Sequence, residues 1–446
     1  MGAQHLNYLQ DSGLRNLTSK GSSENKHFSR KEGRNSCTQL KIECFLCAII
    51  MIYFDNAATT PISDEAMEEL IKWNKQYGNS ESVYKIGREA SEVVENARKT
   101  IARLIGAAEP KNVIFTSGGC EGNSTAIKSM VLNLLAKGKK INIAIAGTEH
   151  HSVINSVKWA EKYFGAKVFY YPLSNGRIDV EKVKETKFFE TRHINVATVI
   201  WGNNETGAIQ NEITTLIEIA KSAGAKIHID AVQIVPHLGL TVLQKVISGE
   251  NGADFVTFSG HKIGAPKGIG VLYCADLDHL IPLIDGGEQE SGKRGGTLNN
   301  GLIAALLVAA EKINAPENNE TYVDYRPYFE YINENLVKTR GLTLNNPMIL
   351  TETDCFMGII NIDCKTESGP IVAYLDNFGI CASTGSACNG GGNYSYVLEK
   401  LGLNPTTSLR ISFSSKVKQK EIEFFVEKMN EYFDLIEKLS GGNLDV

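Results

Sequence analysis

The sequence lacks an apolar run long enough to cross a bilayer; the stretch Cys44 to Phe54 has about half the length a spanning helix needs. It also lacks an excess of charge of one sign. Lys and Arg number 46 against 51 Asp and Glu, a net of −5, which excludes the strongly basic surface of a nucleic-acid or anionic-membrane binder. Regular cysteine spacing is missing too. Nine cysteines are scattered, and Cys44-x-x-Cys47 has no second pair to complete a zinc site, so no metal centre is expected. An odd, irregular set fits a reducing compartment better than a disulfide framework and predicts a cytoplasmic location. No Gly-x-Gly-x-x-Gly follows the first strand of the alternating pattern below, which argues against a nicotinamide-dependent dehydrogenase.

The chain is 446 residues long, 42% hydrophobic and 22% charged, enough for a substantial core in two or three domains. Its opening is different: up to about residue 43 it is rich in Ser, Asn, Lys and Arg with little periodicity, so residues 1–50 are expected to be a disordered extension. Asp11, Glu24, Glu32 and Glu43 weaken a transit-peptide reading. Met51 stands directly before Ile52-Tyr53-Phe54-Asp55 and is expected to be the natural start.

From Ser63, a helix cap followed by Asp64-Glu65, helix and strand patterns alternate. Strands are expected at 111–116, 141–146, 167–171, 196–201, 226–229, 255–259 and 269–273. They are short and largely apolar, the mark of an α/β fold with a mostly parallel sheet covered on both faces. After Asn300 an apolar helix (301–313) leads into a smaller α+β region with a strand near 357–362.

Cys388 stands among small residues and before three glycines, Ser386-Ala387-Cys388-Asn389-Gly390-Gly391-Gly392. Such a thiol has nothing bulky around it to pack into a core, which suits either a free cysteine in a loop or a nucleophile that must travel. Three upstream features, each at a predicted strand end, tip the balance. Ser117-Gly118-Gly119-Cys120 offers backbone N–H groups to an anion such as phosphate. Asp230 could keep a pyridinium N–H protonated or simply cap a helix. Lys262 could form a Schiff base or be a solvated surface lysine. Their joint order points to a cofactor that makes sulfur labile and a cysteine that collects it.

The same residues carry a family resemblance. Tyr53 to Pro61, Phe115-Thr116-Ser117-Gly118, Thr148-Glu149-His150, Asn203 to Gly207, His228 to Gln233 and Ser259-Gly260-His261-Lys262 resemble the cysteine desulfurases of the class V aminotransferase group (NifS/IscS-like). Arg294-Gly295-Gly296-Thr297, Gly385 to Cys388 and Ser408-Leu409-Arg410 complete the match, which covers nearly all of residues 51–440. The resemblance implies the type I fold of pyridoxal-phosphate-dependent transferases. Its large domain, 65–310, would hold a mostly parallel seven-stranded sheet. The smaller α+β domain, 311–446, would be joined by an N-terminal segment, 51–64.

It further implies removal of sulfur from L-cysteine with pyridoxal 5'-phosphate, leaving L-alanine and a persulfide on Cys388. Lys262 would be the Schiff-base lysine, Asp230 the partner of the ring nitrogen, Gln233 and Asn204 the partners of the ring hydroxyl side, and His150 the stacking, proton-moving residue in preference to His151. Ser259, His261, Gly119 and Cys120 would hold the phosphate, with Thr297 reaching in from the other subunit of a homodimer. Arg410, assisted by Asn56, would clamp the substrate carboxylate. The persulfide would pass to a sulfur-acceptor protein, an iron–sulfur scaffold or a tRNA-thiolation protein. Two departures stand out. Gly119-Cys120 replaces the usual Ala-Thr, a thiol for a hydroxyl; and the sequence ends soon after its last helix, without the longer tail of some scaffold-binding members. Selenocysteine lyase, aminotransferase and non-enzymatic sulfur relay are the rival readings. Cys381, in an apolar strand-like stretch, is expected in the core.

Overall fold

The computed structural model describes residues 51–249, 251–314, 324–346, 358–384 and 395–440. In chain order its strands are β1 (Ile52–Tyr53), β2 (Val113–Thr116), β3 (Asn142–Ile145), β4 (Lys167–Tyr170), β5 (Leu173–Ser174), β6 (Arg177–Ile178), β7 (Val196–Ile200), β8 (Lys226–Asp230), β9 (Phe255–Ser259), β10 (Gly270–Cys274), β11 (Thr343–Leu344), β12 (Ile359–Asp363), β13 (Ile380–Cys381) and β14 (Ser408–Ser412). All seven strands expected before Asn300 are present and join one sheet in the order β2-β10-β9-β8-β7-β3-β4. Only β10 runs against its neighbours. The other pairs are parallel, so β2, β3, β7, β8 and β9 all end at one edge.

Continuous apolar strands arise because both sheet faces are covered. Along β10, Val271 and Tyr273 enter one core, with Ile101 and Ile105 of the helix Lys85–Ile105, while Leu272 and Cys274 enter the other. That second face packs Ile127 and Val131 of the helix Gly119–Ala136 and Val153 and Val157 of the helix His151–Phe164. Adjacent residues thus alternate between two apolar environments, which hides the period of two in the sequence.

A further core lies elsewhere. The antiparallel sheet β11-β12-β14 carries Ile360, Ile362, Leu409 and Ile411 against Ile422, Phe425 and Met429 of the helix Gln419–Leu439. Ile52 and Phe54 join it from the other end of the sequence, Phe54 meeting Phe413 edge-on with ring centroids 5.0 Å apart.

Local signals hold in detail. Ser63 Oγ accepts the Ala66 N–H, and the helix expected from Gly301 begins at Asn300 under the Asn299 side chain. The strand expected from residue 111 begins at Val113, because Pro110–Asn112 forms a 3-10 turn closed by Asn112. One expectation is corrected: Cys381 is only half-buried, since in β13 it is the neighbouring Ile380 that faces the core. Among the described residues no helix is long and apolar enough to cross a membrane.

Candidate active site

The shared edge of the parallel strands is where an open α/β sheet binds ligands. At the end of β2 the chain turns through Gly118, whose φ of +147° suits glycine alone, and enters the helix Gly119–Ala136 with no side-chain cap. A Cβ on Gly119 would stand 2.9 Å from Val232 Cγ2, and one on Gly118 would stand 3.7 Å from Ser259 Oγ. Ser259, at the end of β9, is 2% exposed, and its hydroxyl has no partner among the described residues. Helix N–H groups and a buried, unsatisfied hydroxyl therefore converge on a cradle shaped for a small anion. Cys120 is exposed in the first turn of that helix. His261 Nδ1 lies 3.1 Å from Thr59 Oγ1, and burial, aided by Lys262 and Lys267, pulls its pKa down to about 4, so it is neutral at pH 7.

Asp230 ends β8 with both oxygens engaged. Oδ1 accepts the Val232 N–H at 3.0 Å and Oδ2 accepts Asn123 Nδ2 at 2.7 Å. Asn123 also donates to Ser152 Oγ at 2.9 Å, and Ser152 Oγ lies 2.8 Å from His150 Nδ1. His150 follows β3 as the N-cap of the helix His151–Phe164, where Nδ1 accepts the Ser152 N–H. That acceptance puts the proton of a neutral ring on Nε2. Burial lowers its pKa against the pull of Asp230, so the neutral form prevails. Glu149, one residue before, is sealed from solvent; burial and the Asp230 charge push its pKa up to about 8.

Lys262 is buried just beyond β9. Its ammonium donates to the carbonyl of Ala57 and, at 2.7 Å, to that of Ala58. Gln233 Nε2 donates to the same Ala57 carbonyl at 2.8 Å, so the loop after β1 ties the two together. Arg410, on β14 and 1% exposed, bonds Asp55 Oδ1 through Nη2 at 2.6 Å and the Asn204 carbonyl through Nη1 at 3.1 Å. Its Nε has no partner among the described residues. Asn56 gives its amide N–H groups to the Tyr53 and Ser412 carbonyls, which leaves Oδ1 over.

The structure therefore gathers Gly119, Cys120, His150, Asn204, Asp230, Gln233, Ser259, His261, Lys262, Arg410 and Asn56 around one strand edge. Thr297 is not joined to them: it is exposed and makes no side-chain hydrogen bond among the described residues. Cys388 lies outside the described residues. Ser383 and Ser395, the one before and the other after it in the sequence, are held close to the site. Ser383 exchanges two backbone hydrogen bonds with Arg410, and Ser395 Oγ donates to Glu205, which burial raises in pKa.

Sequence reasoning missed Asp55, Asn123 and Ser152. A usable signal existed for Asn123, a polar residue on the apolar face of its helix that also carries Ile127 and Met130. Asp55 gave none, since its partner lies 355 residues away.

Comparison with known proteins agrees with this geometry. The profile described as aminotransferase class-V matches residues 52–425. A cysteine desulfurase of Nostoc sp. is 34% identical over 402 residues, spanning 87% of this chain and 94% of the relative. A NifS-like protein from Rickettsia africae superposes with a TM-score of 0.71 at 27% identity, covering 86% of this chain and 99% of that one. SspA in complex with cysteine is similar with a TM-score of 0.67 at 28% identity, covering 82% and 99%. With a match over most of the chain and a site built at the matching edge, the chain belongs to the class-V aminotransferases, among the cysteine desulfurases of that family.

Proposed function

We propose that this chain desulfurates L-cysteine with pyridoxal 5'-phosphate, releasing L-alanine and keeping the sulfur as a persulfide on Cys388. The observation that carries the reading is the buried, unpartnered hydroxyl of Ser259 at the glycine cradle, one turn from buried Lys262 and on the strand next to that of Asp230. Those residues fit a phosphorylated pyridine aldehyde: anion donors for the phosphate, an amine for the carbonyl carbon and a carboxylate for the ring nitrogen. Bound there, the cofactor would supply an electron sink for the substrate α-carbon.

The protein's own groups do the rest. Arg410 takes the substrate carboxylate, with Asp55 and the Asn204 carbonyl holding its guanidinium flat. Lys262 moves the α-proton from a position fixed by the Ala57 and Ala58 carbonyls. His150, its Nδ1 committed to Ser152, presents Nε2–H as the exchangeable proton. Cys388 as thiolate then attacks the substrate sulfur; an S–S bond forms, the C–S bond breaks, and the carbon keeps the electron pair and is protonated to alanine. Net, L-cysteine and a thiol become L-alanine and a persulfide.

The reading places the chain in a cytoplasmic homodimer, with Thr297 serving the partner's cofactor, and the persulfide passes to an acceptor protein of iron–sulfur assembly or tRNA thiolation. Alanine release from L-cysteine is the test, with pyridoxal phosphate and a thiol reductant, in wild type and Cys388→Ala. Cys388-dependent alanine supports the function; alanine at the wild-type rate from Cys388→Ala overturns it. Comparing L-selenocysteine with L-cysteine separates the lyase alternative.

A further inference from the structure

Glu121 stands in the first turn of the helix that forms the anion cradle, and its Oε2 accepts the Ser117 N–H at 2.7 Å. A carboxylate there is a problem for a phosphate. It occupies a backbone donor at the turn and places a negative charge at the positive helix end that the phosphate would use. Burial alone would raise the Glu121 pKa, yet hydrogen bonds from Arg294 and Ser117 carry it below the ordinary value, so the charge is present at neutral pH.

Arg294 answers that charge. Its Nε lies 2.9 Å from Glu121 Oε1 and its Nη2 lies 3.3 Å from Oε2, a two-pronged contact across 173 residues of sequence. The loop that carries Arg294 is tightly pinned. Gly295 N–H donates to the Ile284 carbonyl at 2.9 Å. Glu290 is buried against Arg98 in a bidentate pair at 2.7 and 2.9 Å and takes the Phe115 N–H of β2 at 2.8 Å. Glu290 and Ser291 hold φ of +52° and +57°, a left-handed conformation disfavoured for such residues that the Arg98 pair maintains. The guanidinium of Arg294 is thus delivered to one place.

We propose that Arg294 is a positioning residue for cofactor binding: it neutralises Glu121, leaving the Gly118–Cys120 turn and the Ser259 hydroxyl to a phosphate dianion. The inference rests on the cofactor reading above. Its test is equilibrium binding of pyridoxal phosphate to apo wild type and to R294M, E121Q and R294M/E121Q, read by cofactor absorbance and thermal stabilisation. R294M is expected to bind about tenfold more weakly, E121Q no more weakly than wild type, and the double variant within about threefold of wild type. A purely structural role for Arg294 would not be repaired by removing a second charge. R294M binding as wild type does, or a double variant still tenfold weak, overturns the inference and leaves the cofactor reading intact. Should R294M alone fail to fold, the double variant decides by the same threshold. Wild type that binds no pyridoxal phosphate overturns both.

Discussion

Asp230 and His150 stand two strands apart in the sheet and are joined through two side chains: Asn123 bonds Asp230 Oδ2 at 2.7 Å and Ser152 Oγ at 2.9 Å, and Ser152 holds His150 Nδ1 at 2.8 Å. The group that would charge the ring nitrogen and the group that would stack on the ring are therefore oriented by one amide. Asn123→Ala removes a hydrogen bond to a buried carboxylate, worth about 1.5–3 kcal/mol, so affinity for pyridoxal phosphate should fall about tenfold or more. A spectrophotometric titration of the apo-protein measures it; unchanged affinity would show that Asp230 needs no such support.

Arg410 depends on Asp55 in the same way. Its guanidinium is sealed from solvent, so Asp55→Ala strands a buried charge and should cost about 2–4 kcal/mol in a urea melt. The Michaelis constant for L-cysteine should rise as well, because the clamp loses its orientation. A variant with wild-type stability and Michaelis constant would refute the dependence.

Glu149 sets a pH signature. Its pKa is raised from 4.5 to about 8 in the fold, so the folded chain disfavours the ionised form that the unfolded chain takes freely. The resulting penalty is absent below about pH 4.5, grows as pH rises, and levels off above about 8. Glu149→Gln keeps an acceptor for the Ile200 N–H, so its stability advantage over wild type should widen across that window. Denaturant midpoints at pH 5 and pH 8 check it; a constant difference would contradict the assignment.

Cys120 is the site's oddity, a thiol in the first turn of the cradle helix. Replacing it with Thr adds a hydroxyl donor in reach of an anion at that turn, and pyridoxal phosphate should bind about two- to tenfold more tightly. Equal affinity of the two proteins would mean that backbone N–H groups alone hold the phosphate.

Much of the fold could be read from the sequence, because a strand buried on both faces, such as Gly270–Cys274, has no charged or amide residue to blur it. Lys262 and Asp230 stood out for a related reason: a charge at or just beyond the end of a buried strand needs an explanation. Arg294 and Glu121, or Asp55 and Arg410, were not legible as pairs. Each residue alone resembles a surface charge, and only the meeting of distant segments shows what it answers. Cys381 misled because a two-residue strand gives the eye a run of apolar letters while facing only one of them inward.

The meeting of Asn56 with Ser412, across 356 residues, also orders events during synthesis. Every strand of the main sheet and the cradle with Lys262 leave the ribosome before β14 is made. β13, which pairs with β1, and Arg410, which answers Asp55, follow only later, so the chain can build the proposed cofactor bed before it adds the arginine of the proposed substrate clamp.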